Sequence, residues 1–447
     1  MIDPPADPGP AVAWERLHPL SPLIGGGRRG ASLILVLVVA AAIHQKGAGG
    51  SPSVELVVLV AVLVLGLVRW LVTRWSFDGF MLRVDTGLVR RDSRRLPVAR
   101  IQAVDMVQPL LARFLGLAEL QIRLAGAGKD SRLAYLHVER ATRLRSALLA
   151  AHHGLDPATP EPAEQAMAVV PARRLVGSVA LSAPTAILVV LVLALIVLDD
   201  VSARAATAVT AVAFVYLLGL ATAIWRRFNG QYGFTVANAP DGIRVRRGLV
   251  GTVAETIPLH RVQAVRQIEP LWWRPFGWCR LEVDLAGAAG RDRGAGPAHV
   301  TKTLLPVGSR SLAEALRTSV IGAVGFEPEP PPRRARVKAP LSYHFLAAGH
   351  DDSIAAAVTG RVCKVTCWVP LEKAQSVRRV QGPLQRRLGL ATVYVDAAGK
   401  RVDVAFRDRD APETERLVDE LAASSRLARR HALPDPPRPP SRINGVG

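Results

Sequence analysis

The chain has 447 residues, enough for about two to four domains at roughly 100–200 residues each. It carries 57 Lys+Arg against 37 Asp+Glu, a formal net charge of +20, with 21% charged and 49% hydrophobic residues. A mean hydropathy of +0.22 at that charge content excludes an evenly mixed globular sequence: the apolar residues must be gathered into runs, as in a membrane protein with soluble parts. In a soluble chain the cationic excess would point to nucleic acid. Beside apolar runs it reads as the positive bias of cytoplasmic loops and an attraction to anionic headgroups, so no nucleic acid is expected.

Residues 1–30 form a Pro- and Asp-rich tail and then an amphiphilic stretch, Trp14-Glu15-Arg16-Leu17-His18-Pro19, suited to a membrane interface. Apolar runs at 31–43 and 54–72 make a first hairpin (31–74), and runs at 175–198 and 205–225 make a second (173–227). The last three reach the length that crosses about 30 Å of hydrocarbon. The first is short: it must extend into its flanks, or it serves as a signal-peptide core behind Arg28 and Arg29. A second span close behind it, and the repeat of the arrangement downstream, favour a retained hairpin. Pro184 is expected to kink the third run. Arg16, Arg28, Arg29, Arg69, Arg74 and Arg83 flank the first hairpin; Arg173, Arg174, Arg226 and Arg227 flank the second. Both hairpins therefore point outward from the inner (plasma) membrane, with the soluble modules and both termini cytoplasmic.

A first soluble module is expected over 75–153, with β-rich segments at 80–96, 98–107, 117–124 and 133–138 before a helix at 139–152. After a linker at 154–172 and the second hairpin, a second module covers 228–322 and closes with a helix at 309–320. A Pro/Arg-rich linker, 323–339, leads to a third module at 340–430, with strands inside 341–406 and a helix at 413–430. No apolar hairpin precedes it, and 431–447 is expected to be a disordered tail. Short strands and glycine turns suggest a small barrel or sandwich, and one closing helix can cap its open end. The expected class is an α+β membrane protein: two transmembrane helical hairpins plus three antiparallel β-barrel modules, each capped by a C-terminal helix.

Segment 87–126 recurs without a gap at 248–287. Pro97, Arg100, Gln102, Pro109 and Gly116 find counterparts in Pro258, Arg261, Gln263, Pro270 and Gly277. The third module echoes them at Pro370, Lys373, Gln375, Pro383 and Gly389, with its second proline displaced by one residue. This pattern, with the two-span hairpins and Arg16-Leu17-His18-Pro19, resembles the bacterial pleckstrin-homology-like membrane proteins of the YdbS/YdbT type over nearly the whole chain. The larger YdbT-type members look most like it, although a third membrane pair is absent here. The resemblance implies a PH-like fold for each module, a bent seven-stranded antiparallel barrel capped by a helix, and brings no catalytic residues. Physically, Pro97 and Pro258 are expected to enter strands, where a missing N–H is tolerated. The Arg and Gln behind them then share one face. They could form a surface for lipid or partner; alternatively the Gln satisfies backbone groups in a turn and the Arg covers an apolar edge. Repetition in all three modules favours the second reading.

Arg90, Arg91, Arg94 and Arg95 crowd a turn of the first module, and Arg244, Arg246 and Arg247 do so in the second. Near an anionic bilayer each basic residue contributes on the order of 1 kcal/mol of attraction, and a solvated cytoplasmic face is the plainer reading. Trp272, Trp273 and Arg274, running into Pro275-Phe276-Gly277-Trp278, suit a membrane interface or a protein contact, or burial against a neighbour. Cys363 and Cys367 lie in a strand-like stretch, roughly 13 Å apart, too far for a disulfide, and Cys279 has no evident partner, so a reduced compartment fits. The glycine-rich run before Lys129 lacks the Ser or Thr that a phosphate-binding loop needs, and no zinc-protease, nucleophile-elbow or paired CxxC motif is present. No catalytic residue, metal or cofactor is expected. The sequence reads as a non-enzymatic scaffold or adaptor whose modules contact the lipid bilayer, its anionic phospholipids, another membrane protein or a second copy. An accessory subunit of an export or antimicrobial-resistance system is the alternative.

Overall fold

The computed structural model describes residues 14–19, 71–86, 92–124, 131–152, 165–198, 203–239, 242–286, 300–398 and 404–432. The first apolar run, nearly all of the second, and Arg90 and Arg91 lie outside them. The architecture is mixed α and β, with antiparallel sheets and a repeated module.

In the first module β1 (Glu15–Arg16), β2 (Arg74–Phe77), β3 (Met81–Thr86) and β4 (Asp92–Pro97) form one sheet in that order. A 3-10 turn, Val98–Arg100, leads to β5 (Ile101–Gln108), the short helix α1 (Leu110–Phe114), β6 (Leu117–Leu124), β7 (Ser131–His137) and the helix α2 (Val138–His152). Alternation sorts the side chains: Leu82 and Val84 of β3 and Leu120 and Ile122 of β6 turn to one side. They share a core with Ile101, Val104, Leu136 and, from α2, Leu144 and Leu148. Full burial of each such aliphatic side chain contributes about 1.5–3 kcal/mol. Leu17 joins this core, and Glu15 and Arg16 pair with Trp75 and Arg74. The stretch read as interfacial is thus the edge strand of the module, and its amphiphilic pattern is that of a strand with one face buried.

The second module contains β8 (Gln165–Val169), α3 (Ala172–Ala180), α4 (Ala183–Leu198), α5 (Ala203–Gln231), β9 (Thr235–Ala239), β10 (Gly242–Arg247) and β11 (Thr252–Ile257). A 3-10 turn, Leu259–Arg261, leads to β12 (Val262–Pro270), a 3-10 stretch (Leu271–Phe276), β13 (Trp278–Leu285), β14 (Val300–Ser309) and α6 (Arg310–Ile321). Ser309 caps α6 by accepting from Leu312 N–H at 3.3 Å. Val170 N–H donates to Phe234 O at 2.9 Å, so the three helices are an insertion between the first and second strands. The expected kink lies at Leu181 and Ser182, where α3 and α4 meet at 54°, rather than at Pro184. Pro184 takes the second position of α4, where a missing N–H leaves nothing unsatisfied. No single helix among the described residues is long and apolar enough to cross a membrane; the bent pair Ala172–Ala180 and Ala183–Ala194 together reaches that length and composition.

The third module has β15 (Ala347–His350), β16 (Ile354–Thr359), β17 (Cys363–Pro370), a 3-10 turn (Leu371–Lys373), β18 (Ala374–Val380), α7 (Pro383–Arg387), β19 (Leu390–Ala397), β20 (Val404–Asp410) and α8 (Ala411–Ala432). The stretch expected as a linker is fastened to it. Glu329 bridges Ala348, and the buried Arg409 donates to both of their carbonyls, at 2.8 and 2.7 Å. Lys338 reaches the buried Asp408, Arg334 pairs with Asp410, and Ala335 is fully buried. The Phe326 ring occupies the space that a Cβ on Gly349 would need. Proline and arginine made this stretch look solvated, yet proline lowers the entropy lost on ordering it, and Arg334 and Lys338 carry anchoring ion pairs.

The sheets do not stop at module boundaries. Their orders are β7-β6-β5-β11-β10-β9-β8, β14-β13-β12-β17-β16-β15 and β18-β19-β20. The second sheet of each of the first two modules therefore continues into the first sheet of the next. At one joint Met106, Val107 and Gln108 face Ala254, Val253 and Thr252; at the other Gln267, Ile268 and Glu269 face Thr366, Val365 and Lys364. These triplets are repeat-equivalent, so the register is the same twice. By contacts the chain divides into Met1–Ala166 with Ala237–Pro258, and Met167–Val236 with Leu259–Gly447. That division cuts the second module between β11 and its 3-10 turn, instead of separating repeat from repeat.

Candidate functional site

The repeated motif builds a turn, a strand and a short helix. Pro97 and Pro370 sit at φ −63° and −61° at the start of the 3-10 turns, and Pro258 occupies the same place. These prolines end strands rather than enter them, because a φ locked near −65° suits the turn that follows. Arg100, Arg261 and Lys373 consequently lie in the turn and do not share a strand face with the Gln. Arg261 is buried and its Nε donates to Ala286 O at 3.0 Å; buried Gln263 donates to Arg261 O at 3.4 Å. Arg100 and Gln375 are exposed, and Lys373 pairs with Glu372 at 3.0 Å. The Gln102 side chain lies outside the described residues.

Pro109 and Pro270 start the two short helical segments, while Pro383 is the first residue of α7, which accounts for its one-residue displacement. Gly116, Gly277 and Gly389 end these segments at φ +64°, +62° and +64°, the left-handed conformation that other residues adopt only at a cost. Segments this short cannot bury all their apolar residues. Leu110, Leu111, Phe114 (81% exposed) and Leu115 face outward on the first, and Leu271, Trp272 (63%) and Phe276 on the second. Their arginines, exposed at Arg113 and half-buried at Arg274, reach across the surface to backbone carbonyls. Arg113 Nη1 donates to Leu249 O and Arg274 Nη2 to Arg361 O, each at 2.9 Å. These repeat-equivalent bonds fasten each segment to a turn of the following module.

The residues singled out from the sequence are thereby separated. Trp272 is at the surface, Trp273 is buried with the Arg227 guanidinium 5.9 Å from its ring centroid, and Arg274 is a fastener. Arg95 and Arg246 are exposed, Arg94 is half-buried, Arg244 is buried (4% exposed), and Arg247 pairs with Glu255 at 3.2 Å. Phe276 lies in the run singled out from the sequence, whereas Leu111, Phe114 and Leu271 were not marked as contacts; the available signal was a Pro-Leu step followed by bulky apolar residues and a glycine.

Two further features are chemical in character. α4 and α5 turn Ile187, Val190, Leu193, Phe214, Val215 and Leu218 outward. Trp225, Phe228 and Tyr232 follow as a ladder with centroids 6.3 and 5.6 Å apart. A cleft of about 660 Å³ in the second unit is lined by Leu259, Val262, Ile321 and Leu427, with Asp352, Lys373 and His431 at its polar side. Among the described residues no group of three metal-ligating side chains converges. The three cysteines are free; burial, and then the neighbouring Glu269 carboxylate, push the Cys279 thiol up to about 12, so it stays protonated and unreactive at neutral pH.

Residues 32–152, 174–324 and 341–425 each match the family model for the Bacterial PH domain. The transmembrane protein YdbT of Bacillus subtilis (strain 168) is 22% identical over 296 residues, covering 59% of this chain and 59% of that protein, so the chain spans under two thirds of the relative's length. No solved structure matches.

Proposed function

Because the chain belongs to the bacterial PH domain family, we propose that it is a non-enzymatic membrane scaffold whose two helical hairpins span the bilayer and whose three modules lie on the cytoplasmic side, against anionic headgroups or a partner membrane protein. The outward apolar face of α4 and α5 carries this reading. In water such a face is unfavourable by about 25 cal/mol per Å² of apolar surface, whereas hydrocarbon covers it without cost. Trp225, Phe228 and Tyr232, beside Arg226 and Arg227, have the composition of a membrane–water boundary. The exposed Phe114 and Trp272 supply apolar tips for a headgroup layer, and Arg95 and Arg246 supply cations. The similar protein named as transmembrane accords with this, and the absence of any catalytic motif from the sequence supports a non-enzymatic role.

Alkaline carbonate extraction and cysteine labelling test the proposal. The chain should remain in the membrane pellet. A membrane-impermeant thiol reagent applied to intact cells should label Asp200→Cys and spare Arg95→Cys. Release by carbonate, or labelling at position 95, would refute the topology; equal flotation with neutral and anionic vesicles would refute the headgroup contact.

A further inference from the structure

The two internal joints show how this chain recruits a strand. In each, the strand after the 3-10 turn (β5 or β12) pairs on its outer side with the last strand of the next module's first sheet, and Arg113 or Arg274 fastens the adjoining turn. In the third module β18 is the equivalent strand, and among the described residues it pairs with β19 alone. Gln375, Ser376, Arg378, Arg379 and Val380 are exposed along it. On α7 the exposed Arg386 and Arg387 side chains, which stand where the fastening arginine is expected, bond to nothing among the described residues. We infer that β18 and α7 form an open docking edge for an acidic β-strand of another protein, added as a third joint in the register of the first two.

The register dictates what fits. Val380 stands where Ile268 faces Val365, Arg378 where Arg266 faces Cys367, and Val377 where Val265 faces Trp368. An incoming strand therefore needs an apolar residue opposite Val380 and a carboxylate opposite Arg378. That guanidinium is held ready by Asp396 at 2.8 Å and by the Tyr394 ring, 4.3 Å from its centroid. The chain's own β4 is the repeat equivalent of β11 and β17, and among the described residues it too lies at a sheet edge. It would set Asp92 against Val380, Arg94 against Arg378 and Arg95 against Val377. Like charges directly opposite destabilise a strand pair, so a second copy is rejected. β11 would instead present Val253 and Glu255 at the first two of these places, the pattern that the edge selects. An open edge of this kind invites strand addition unless it is blunted, and here the cations choose the partner.

The test uses the full chain in detergent micelles and a fluorescein-labelled synthetic peptide of residues 248–258 as the probe, read by anisotropy. The peptide should bind, more weakly as salt rises, and its Glu255→Arg version should bind about fivefold more weakly. Arg378→Glu in the chain should invert that preference, and a peptide of residues 87–97 should bind no better than a scrambled one. Absence of binding, or binding indifferent to the charge at position 255 of the peptide, overturns the inference without any alteration of the chain. Oligomers of the unaltered chain in analytical ultracentrifugation would overturn it in favour of a second copy. Loss of affinity for phosphatidylglycerol vesicles in Arg378→Glu, with peptide binding unchanged, would overturn it in favour of lipid.

Discussion

Between its first and second strands the second module carries three helices, whereas the third carries the short stretch 330–346. Both insertions are closed in the same way, by Val170 on Phe234 in one and by Glu329 on Ala348 in the other. The leading strand completes the sheet; the chain that loops out between it and the next strand is free to vary. Loop-closure entropy grows slowly with length, about 0.6 kcal/mol per doubling, so a three-helix insertion and a short one are both affordable. The two differ in what they bring: apolar helical faces in one case, and ionic anchors, one of them onto the buried Asp408, in the other.

Exchanging the insertions tests this equivalence most severely. Putting 330–346 in place of 171–233 should leave amide protection in β9–β11 intact by hydrogen exchange, while removing every exposed apolar residue of α4 and α5. Loss of that protection would show that the helices complete the sheet after all. Next in size, Arg409→Ala strips a donor from the Glu329 and Ala348 carbonyls and should destabilise the third module by about 3–5 kcal/mol in denaturant unfolding. Arg409→Lys should recover part of this.

Within the helical insertion, Gly177 and Gly219 form a smaller contrast. A Cβ on Gly177 would lie 2.9 Å from the Trp278 ring, and a bulky residue there should cost about 1–3 kcal/mol. Gly219 has nothing within 4 Å of its Cβ position, so Gly219→Ala should meet no clash and, inside a helix, raise stability by about 0.5–1 kcal/mol.

The smallest effect concerns Asp351. Burial raises its pKa, but the Ser353 hydroxyl and the N–H groups of Ser353, Ile354 and Gly325 outweigh burial and hold the carboxyl below its usual 3.8. A pKa depressed in the fold contributes stability above the unfolded value, and that stability is lost as the pH falls through the folded value. The stretch around Gly325 should thus loosen only in acid, below pH 3.8, and Asp351→Asn should abolish this pH dependence in thermal melts.

Much of the local structure is legible in the residues. The helix expected at 413–430 is Ala411–Ala432, its acidic first turn and basic last turn matching the helix dipole. The strand expected at 117–124 is Leu117–Leu124. Of the candidate surface, the aromatic run around Trp272 stood out at once, but its division into an exposed Trp272 and a buried Trp273 did not. Two adjacent tryptophans look alike in sequence, and only the turn of the short helix sends one inward. The fastening role of Arg274 was equally hidden, because its partner is a backbone carbonyl, which every residue possesses.

Period, punctuation and repetition are properties of neighbouring residues, so the amino-acid order alone determined the strands, the closing helices, the glycine-ended segments and the threefold module. Which edges meet was decided in three dimensions. A strand reads the same whether its outer hydrogen-bonding groups face water or another strand, since those groups belong to the backbone. The two joints, the anchored stretch before the third module and the edge of β18, unpaired among the described residues, therefore became visible only in the folded chain.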